Sequence, residues 1–287
     1  MKALLICDAG ATKTDWILLP EGSREILHFK CKGINPVHSS DFMISSELIA
    51  VRNSLPAEFT ISDIRFFGAG CATYEIRNSI QDIINSIWPE AKVYVESDLM
   101  GAALALFGNE SGIACILGTG SNSCFFEHGK IKQQIPSLGY ILGDEGSGSA
   151  IGKRLISDIF KEQLPNEIRE AFFQEFQLTL SELIEKVYKN TGAAAFLASY
   201  APFVLKNLNK QELFRLAYEE IDKFFIRNVC AYTESHSFSV GLVGSIAFCL
   251  EDMIKEICCK RGLILKGIIK SPAERLADYF TNQNIDS

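Results

Sequence analysis

Positive charge is in short supply in this sequence. The 287 residues include 28 lysines and arginines against 35 aspartates and glutamates, which gives a formal net charge of −7. A protein that binds DNA or RNA usually gathers its basic residues on one face, whereas here they are scattered along the chain. We therefore expect no nucleic-acid partner.

Long hydrophobic runs are also missing from the sequence. No segment approaches the roughly 18 apolar residues of a membrane helix, and the run 193–205 is interrupted by Ser199, Tyr200 and Pro202. At the N-terminus, the apolar residues 3–7 are fewer than a signal peptide needs, and Asp8 follows them directly. The sequence therefore predicts a buried first strand, no membrane partner and a cytoplasmic protein.

Cysteine and histidine do not occur in the patterns of disulfide frameworks or zinc sites. The nine cysteines are an odd number without a C-x-x-C pair, and the four histidines are isolated. This favours buried free thiols. The chain is long enough for two domains that each bury a core.

What the sequence does contain is one pattern that occurs twice. Residues 4–19 and 113–126 both read as a strand, a turn of small and hydroxyl residues, and a second strand. Glycine lets the backbone approach a ligand closely, and successive N–H groups in such a turn form a concave anion site. Two such hairpin tips facing each other would hold a polyphosphate from both sides. Our hypothesis is therefore that the chain binds ATP.

The other elements alternate as in an α/β protein. In a first domain, residues 1–109, the pattern predicts strands at 25–32, 64–67 and 92–96 and helices at 41–53, 75–88 and 99–107. The segment 108–112 is predicted as a hinge. In a second domain, residues 110–287, the predicted elements after the hairpin are a helix after the turn 143–148, a mainly helical region 165–234, strands at 239–243 and 263–270, and helices at 246–260 and 272–280. Two capping boxes, Thr179 to Glu182 and Asn209 to Glu212, are predicted to start helices.

Five short stretches, spread over most of the chain outside residues 165–235, form a recognisable set. They are Asp8-Ala9-Gly10-Ala11-Thr12-Lys13-Thr14, Gly33-Ile34-Asn35-Pro36, Ser97-Asp98, Gly118-Thr119-Gly120-Ser121-Asn122 and Leu142-Gly143-Asp144-Glu145-Gly146-Ser147-Gly148. In this order and spacing, the chain resembles the N-acetylglucosamine kinase branch of the BadF/BadG/BcrA/BcrD-type ATPase family. The resemblance implies two duplicated ribonuclease H-like α/β domains of the actin, hexokinase and Hsp70 type, with an interdomain cleft and a helical insertion in the second domain. It also implies a homodimer.

The resemblance assigns the first hairpin tip to the nucleotide. Asp8 would organise Mg²⁺ through water, because this ion keeps several waters and prefers carboxylate and phosphate oxygens. Gly10 would belong to the nucleotide site, and Thr12 and Lys13 would contact the β- and γ-phosphates of ATP. The alternatives are an aspartate that shapes its own turn and a lysine that is merely solvated.

Asp98 is implied as the catalytic base. Phosphoryl transfer needs a carboxylate that positions the sugar hydroxyl and accepts its proton. The resembled kinases place this aspartate after a short strand and before a helix of small residues, as in residues 97–103. The alternative is that Ser97 or Asp98 caps this helix, and the two roles are compatible.

The second hairpin tip and later turns complete the implied site. The second phosphate loop would consist of Gly118, Thr119 and Gly120, and the adenosine loop would contain Gly241, Gly244 and Ser245. The groups implied to surround the hexose are Asn35, Gly70, Asp98, Ser121, Asn122 and Asp144. A buried amide or carboxylate that pairs with a sugar hydroxyl rejects a substrate without it, although an asparagine before a proline also initiates loops.

The terminal helix departs from the family pattern. Residues 272–276 read Pro-Ala-Glu-Arg-Leu, where the family usually has glycines after the proline. Nucleotide contacts from this helix are therefore not implied.

The expected activity is the ATP- and Mg²⁺-dependent phosphorylation of N-acetylglucosamine at its 6-hydroxyl, with N-acetylmuramic acid and glucosamine as rival substrates. A second interpretation, an iron–sulfur ATPase that activates a dehydratase, rests on the match of residues 115–120 to Cys-x-x-Gly-Thr-Gly. Against it, Cys115 lies in an apolar strand without a second cysteine in a comparable context. A third interpretation, a non-catalytic sugar sensor, is opposed by the presence of both Asp8 and Asp98.

Overall fold

The computed structural model describes residues 1–23, 25–37 and 39–283, so that Arg24, His38 and the last four residues lie outside the description. The chain forms two compact units that are not continuous in sequence. Unit 1 comprises Met1–Glu110, Phe126–Ile131 and the segment from Ser271 onward, and unit 2 comprises Ser111–Phe125 and Lys132–Lys270. The domain boundary between residues 109 and 110 stays a prediction.

Unit 1 contains a five-stranded mixed sheet. Its strands are β1 (Lys2–Ala9), β2 (Lys13–Pro20), β3 (Leu27–Lys32), β4 (Thr60–Gly68) and β5 (Lys92–Ser97). They lie in the order β3-β2-β1-β4-β5. Strands β1, β4 and β5 are parallel, whereas β2 is antiparallel to both β1 and β3. The first predicted hairpin is thereby confirmed.

A second five-stranded sheet repeats this topology. Its strands are β6 (Gly112–Leu117), β7 (Ser121–Glu127), β8 (Lys130–Ile135), β9 (Val240–Val243) and β10 (Leu265–Ile269), in the order β10-β9-β6-β7-β8. In both sheets the first strand is central, with the second and third strands on one side and the fourth and fifth on the other. The predicted duplication of an α/β domain is therefore confirmed.

Thirteen α-helices surround the sheets within the described part of the chain. They are α1 (Asp41–Ser54), α2 (Tyr74–Ile87), α3 (Asp98–Phe107), α4 (Gly139–Leu142), α5 (Gly148–Phe160), α6 (Asn166–Phe176), α7 (Leu180–Tyr188), α8 (Ala193–Ala198), α9 (Ala201–Lys206), α10 (Gln211–Phe224), α11 (Ser245–Cys249), α12 (Glu251–Lys260) and α13 (Ala273–Gln283). A π-helical turn at Phe225–Val229 and a 3₁₀ turn at Thr233–His236 follow α10. Helices α6 to α10 form the predicted helical insertion. No described helix is long and apolar enough to cross a membrane.

Consecutive residues of β1 are buried on opposite faces of the first sheet, as expected for a strand covered on both sides. Leu5 and Cys7 belong to a core that includes Ile44 of α1 and Ile84 of α2. Ile6 belongs to a separate core on the other face. The other members of this core are Ile17, Phe67, Ala273, Leu276 and Ala277. Helix α13 thus covers one face of the sheet to which the first strand belongs.

Two predicted details are wrong, and one strand was missed. Helix α10 begins at Gln211 with Lys210 at the N-cap and no side-chain cap, because a turn in which the Lys210 N–H donates to Asn207 O at 3.0 Å occupies the place of the capping box. The single helix predicted at 246–260 is divided at Leu250, whose side chain is buried. Strand β8 was not predicted at all. The capping box at Thr179 is confirmed.

Candidate active site

The carboxyl ends of three parallel strands bring the predicted acids of unit 1 to one edge of its sheet. Asp8 is the penultimate residue of β1, and Asp98 directly follows β5. The intervening strand β4 pairs with both neighbours, with Phe67 opposite Asp8 and Gly68 opposite Ser97. Ligands of open α/β sheets bind outside this edge, so the sequence places both carboxylates where a ligand is expected.

Asp8 lies in a strongly acidic environment. Its carboxylate accepts a hydrogen bond from Ser271 Oγ at 3.4 Å, and Asp15 is its direct partner on β2. Burial raises the pKa of Asp8 to about 7, and the charges of Asp98 and Asp15 raise it further, whereas Lys13 and Ser271 oppose the shift. A carboxylate with this many acidic neighbours favours a bound cation.

Asp98 is the first residue of α3, but the helix is capped by its neighbour. Ser97 Oγ accepts the Met100 N–H at 3.2 Å, and the Leu99 N–H donates to Asp98 Oδ1 at 2.9 Å. Burial raises the pKa of Asp98 to about 6, against the lowering effect of the backbone N–H groups of Leu99 and of Asp98 itself. The cap and the proposed base are therefore adjacent residues, and a carboxylate with this pKa can accept a proton at neutral pH.

The tip of the first hairpin is a tight turn. The Gly10 N–H donates to Lys13 O at 2.9 Å, and the Gly33 N–H donates to Thr12 O at 3.2 Å. A Cβ atom at Gly33 would lie only 2.4 Å from Ala11 O, so glycine is required for the loop after β3 to reach the tip. The Lys13 ammonium forms an ion pair with Asp15 at 2.7 Å.

Asn35 and Gly70, two predicted sugar contacts, lie against each other. Asn35 Oδ1 accepts the Val37 N–H at 3.0 Å, which is the loop-initiating role considered above. A Cβ atom on Gly70 would lie 2.3 Å from the same oxygen, and the φ of Gly70 is +83°. The Ala69 N–H donates to Ala9 O at 2.7 Å, which ties this loop to the end of β1.

The tip of the second hairpin is held by the start of α5. The Gly148 N–H donates to Gly118 O at 2.8 Å, and the Ser149 N–H donates to Thr119 O at 3.0 Å. A Cβ atom added to Gly118 would meet no atom of the chain within 4 Å. The start of α5 thus fixes the loop from one side. At Gly118 the backbone is open, so that a phosphate could approach it closely.

Asp144 packs against this second tip. Its side chain is 7% exposed, and it has a φ of +56°, which is rare outside glycine. The Ser121 N–H donates to its carboxylate at 3.2 Å, and a Cβ atom at Gly120 would lie 3.1 Å from the same group. Burial raises the pKa of Asp144, although the bond from Ser121 lowers it.

The side chain of Asn122 is held by hydrogen bonds within unit 2. Asn122 Oδ1 accepts hydrogen bonds from Ser123 N at 3.0 Å and Gln134 Nε2 at 3.1 Å.

The predicted adenosine turn is shorter than expected. Gly241 lies inside β9 with sheet partners on both sides, so the turn itself consists of Gly244 and Ser245. Gly244 has a φ of +125°, and its Cβ atom would lie 2.2 Å from Leu117 O. This turn therefore abuts the second hairpin tip.

The donor set fits Mg²⁺ only together with a phosphate ligand. Within the described residues, no group of three or more histidine, cysteine, aspartate or glutamate side chains is placed to hold a metal ion. Mg²⁺ needs one or two carboxylates, phosphate oxygens and waters, and Asp8 supplies such a carboxylate. The residues present therefore fit the nucleotide-bound ion and not a site made by protein alone.

The alternative based on Cys115 receives no support from its surroundings. Its side chain is completely buried in the core of unit 2. Burial raises the pKa of the thiol, and Cys124 and Cys258 add to the effect. A cysteine binds an iron–sulfur cluster as a thiolate, and a lowered thiol pKa, not a raised one, favours that form.

No role was predicted for three residues that shape the first site. Asp15 and Ser271 contact Lys13 and Asp8 as described, and the buried Thr14 accepts the Ile34 N–H at 3.1 Å and donates to Lys32 O at 3.0 Å. The alternation of side chains along β2 would have placed Asp15 on the face of Lys13. No local signal marks Ser271, because it is 263 residues from Asp8.

Known structures resemble this chain over nearly all of its length. A proposed N-acetylglucosamine kinase from Porphyromonas gingivalis is 37% identical, with a TM-score of 0.90 and coverage of 98% of this chain and 99% of the other. A second proposed N-acetylglucosamine kinase, from Chromobacterium violaceum, is 19% identical, with a TM-score of 0.74 and coverage of 96% and 97%.

A more distant structure shares the fold. A ROK-family glucokinase from Streptomyces griseus, in complex with glucose and AMPPNP, is 13% identical, with a TM-score of 0.57 and coverage of 95% and 96%. No family model matches the chain. No curated protein matches it either.

Proposed function

Because the chain belongs to the N-acetylglucosamine kinase-like family of ATP-dependent sugar kinases, we propose that it transfers the γ-phosphoryl group of ATP to the 6-hydroxyl of N-acetylglucosamine. The observation that carries this proposal is the pair Asp8 and Asp98 at one edge of the first sheet, with pKa values raised to about 7 and about 6. Phosphoryl transfer uses one acid to organise the metal and another to handle the proton of the acceptor.

Asp98 acts as the general base. One of its oxygens accepts the Leu99 N–H, which fixes the orientation of the carboxylate and leaves the second oxygen to accept the proton of the sugar hydroxyl. A pKa of about 6 keeps the group ionised at neutral pH, and it makes the carboxylate a stronger base than an ordinary aspartate. Both properties favour general base catalysis.

Asp8 would hold Mg²⁺ through water, and the Ser271 hydroxyl orients the carboxylate of Asp8. When bound, Mg²⁺ supplies neutralisation of the phosphate charge. In unit 1, the N–H groups of the first tip and the ammonium of Lys13 bind phosphate. In unit 2, the open backbone at Gly118 does the same, and the turn at Gly244 and Ser245 binds the adenosine.

The polar groups assigned to the sugar come from both units. Asn35 lies on Gly70 in unit 1, whereas Ser121 and Asp144 are paired in unit 2. The oxygen of Asn122 already accepts two hydrogen bonds, so its NH₂ group donates to a hydroxyl or acetyl oxygen. The homodimer, the cytoplasmic location and the BadF/BadG/BcrA/BcrD assignment stay predictions.

A coupled assay of ADP release tests the proposal. Mg-ATP is offered with N-acetylglucosamine, N-acetylmuramic acid, glucosamine or glucose, and the wild type is compared with Asp98→Asn. We expect turnover with N-acetylglucosamine and a loss of about 10²- to 10⁴-fold in kcat in the variant, which corresponds to removal of a general base. Binding of ATP to the variant, measured by calorimetry, controls for misfolding.

Each contrary result has a defined meaning. Faster turnover with N-acetylmuramic acid or glucosamine would change the proposed substrate but would leave the proposed phosphoryl transfer in place. Hydrolysis of ATP at a rate that no sugar changes, or no hydrolysis at all, would exclude the kinase.

A further inference from the structure

Charged side chains form a row across three strands of the first sheet. Asp15 on β2 pairs with Asp8 on β1 and with Lys30 on β3. Residues directly opposite each other on antiparallel strands project from the same face. Lys13 precedes Asp15 by two residues and therefore projects from that face as well. Asp15 is thus the central member of a cluster that includes the acid proposed to organise the metal.

Two cations share the carboxylate of Asp15. Lys13 Nζ lies 2.7 Å from Oδ2, and Lys30 Nζ lies 3.9 Å from Oδ1. The side chain of Asp15 is 14% exposed, whereas those of Lys13 and Lys30 are 62% and 75% exposed. A carboxylate that is mostly buried beside a second carboxylate needs such partners, because like charges directly opposite each other destabilise a sheet.

Lys13 has little else to hold it beside the hairpin tip. Its direct partner on β3 is Lys32, a residue of the same charge. Its stem is exposed, and a flexible lysine loses conformational freedom when a ligand fixes it. Among the described residues, the carboxylate of Asp15 is the one that lies within 3 Å of the Lys13 ammonium. Asp15 therefore sets the position of this ammonium.

We infer that Asp15 is a positioning residue, which holds the ammonium of Lys13 beside the first hairpin tip so that it meets the phosphates of ATP already oriented. An ammonium has three N–H donors, so one bond to Asp15 leaves two for phosphate oxygens. Lys30 pairs with the other oxygen of Asp15, so the two lysines do not compete for the same oxygen. This inference rests on the proposed function, because it requires ATP at the first tip.

A double-mutant cycle tests the inference. The affinity for Mg-AMPPNP is measured by calorimetry for the wild type, Asp15→Asn, Lys13→Met and the double variant. Immobilising one long side chain costs enough free energy to change an affinity by about 2- to 10-fold, so we expect Asp15→Asn to weaken binding by that factor. In the Lys13→Met background the same change should no longer weaken binding, because only the repulsion between Asp15 and phosphate is removed.

Lys30→Met is the matched control, since it removes the other cation from the same carboxylate. We expect it to change the affinity for Mg-AMPPNP by less than about 2-fold, because Lys13 stays paired. In assays of turnover, Asp15→Asn should raise the KM for ATP and leave kcat nearly unchanged. Thermal unfolding of every variant identifies any loss of fold, which would lower kcat as well.

The outcomes separate this inference from the function on which it rests. Equal effects of Asp15→Asn in the two backgrounds, or tighter binding in the wild-type background, would overturn the role of Asp15 alone. A wild type that does not bind Mg-AMPPNP would overturn the proposed function and the inference together.

Discussion

At the scale of the residue, the buried carboxylate of Asp8 lowers the free energy of unfolding when it is ionised and no cation is bound. Its pKa is about 7 in the folded chain and about 3.9 in an unfolded one. Between these values the folded state keeps a proton that the unfolded state loses, so the free energy of unfolding falls as the pH rises through this window. Above pH 7 the ionised carboxylate opposes folding fully.

We therefore expect Asp8→Asn to stabilise the protein in alkaline buffer. Allowing for screening by solvent, the gain in the free energy of unfolding should be about 1–2 kcal/mol at pH 8 and close to zero at pH 4. Urea unfolding at the two pH values, without nucleotide or Mg²⁺, measures it. An equal change at both pH values would show that ionisation of Asp8 is not the cause.

The sequence specified some of these residues and not others. Asp8 and Asp98 could be predicted because Asp8 lies near the end of β1 and Asp98 directly follows β5, each within a short motif, so that local pattern and position coincide. Ser271 could not, since its contact with Asp8 depends on how α13 packs. The left-handed backbone of Asp144, with a φ of +56°, is likewise a product of the surrounding loop and not of the residue type.

At the scale of the element, Gly118 in the second hairpin tip is a position where the stability of the fold and the binding of a ligand can be tested separately. Gly118 has open space where a side chain would start, and its φ is not in the left-handed region. We expect Gly118→Ala to leave the free energy of unfolding within about 0.5 kcal/mol and to weaken Mg-ATP binding about 10-fold or more, because the methyl group would occupy the approach of a phosphate.

Gly267→Ala in β10 is the matched control for this prediction. A Cβ atom there also meets no atom within 4 Å, but the residue lies in an edge strand away from the tip. Chemical denaturation and calorimetry of both variants give the comparison. Unchanged ATP affinity in Gly118→Ala would remove the second tip from the nucleotide site.

Elements were predictable where periodicity and turn chemistry agreed. Both hairpins and the helices α2 and α5 follow their apolar spacing, with boundaries within a few residues. Strand β8 was missed because most of its side chains are exposed and polar, although the turn before it, with His128 and Gly129 both at positive φ, is a hairpin signal. The division at Leu250 has no local signal, since neither proline nor glycine marks it.

At the scale of the whole molecule, helix α13 packs on the first sheet, although more than 250 residues separate it from strand β2. Leu276 is completely buried against the face that contains Ile6 and Ile17. We expect Leu276→Ala to lower the free energy of unfolding by about 2–5 kcal/mol, as for other buried leucines. Arg275→Ala, on the exposed side of the same helix, is the matched control and should change it by less than about 0.5 kcal/mol.

Urea denaturation of the two variants provides the measurement. Because Ser271 precedes α13 and donates to Asp8, Leu276→Ala should also raise the Mg²⁺ concentration needed for half-maximal turnover. Equal stability of the two variants would mean that α13 does not cover the sheet.

The return of α13 to the first sheet has a consequence for synthesis on the ribosome. Strands β1 and β2 leave the exit tunnel well before α13, the helix that covers Ile6 and Ile17, because α13 is translated about 250 codons later. Until then, α3 packs on this apolar face of the sheet without the buried residues of α13. Strands β1 and β2 thus reach their final packing only after nearly all of the chain between them and α13 has been made.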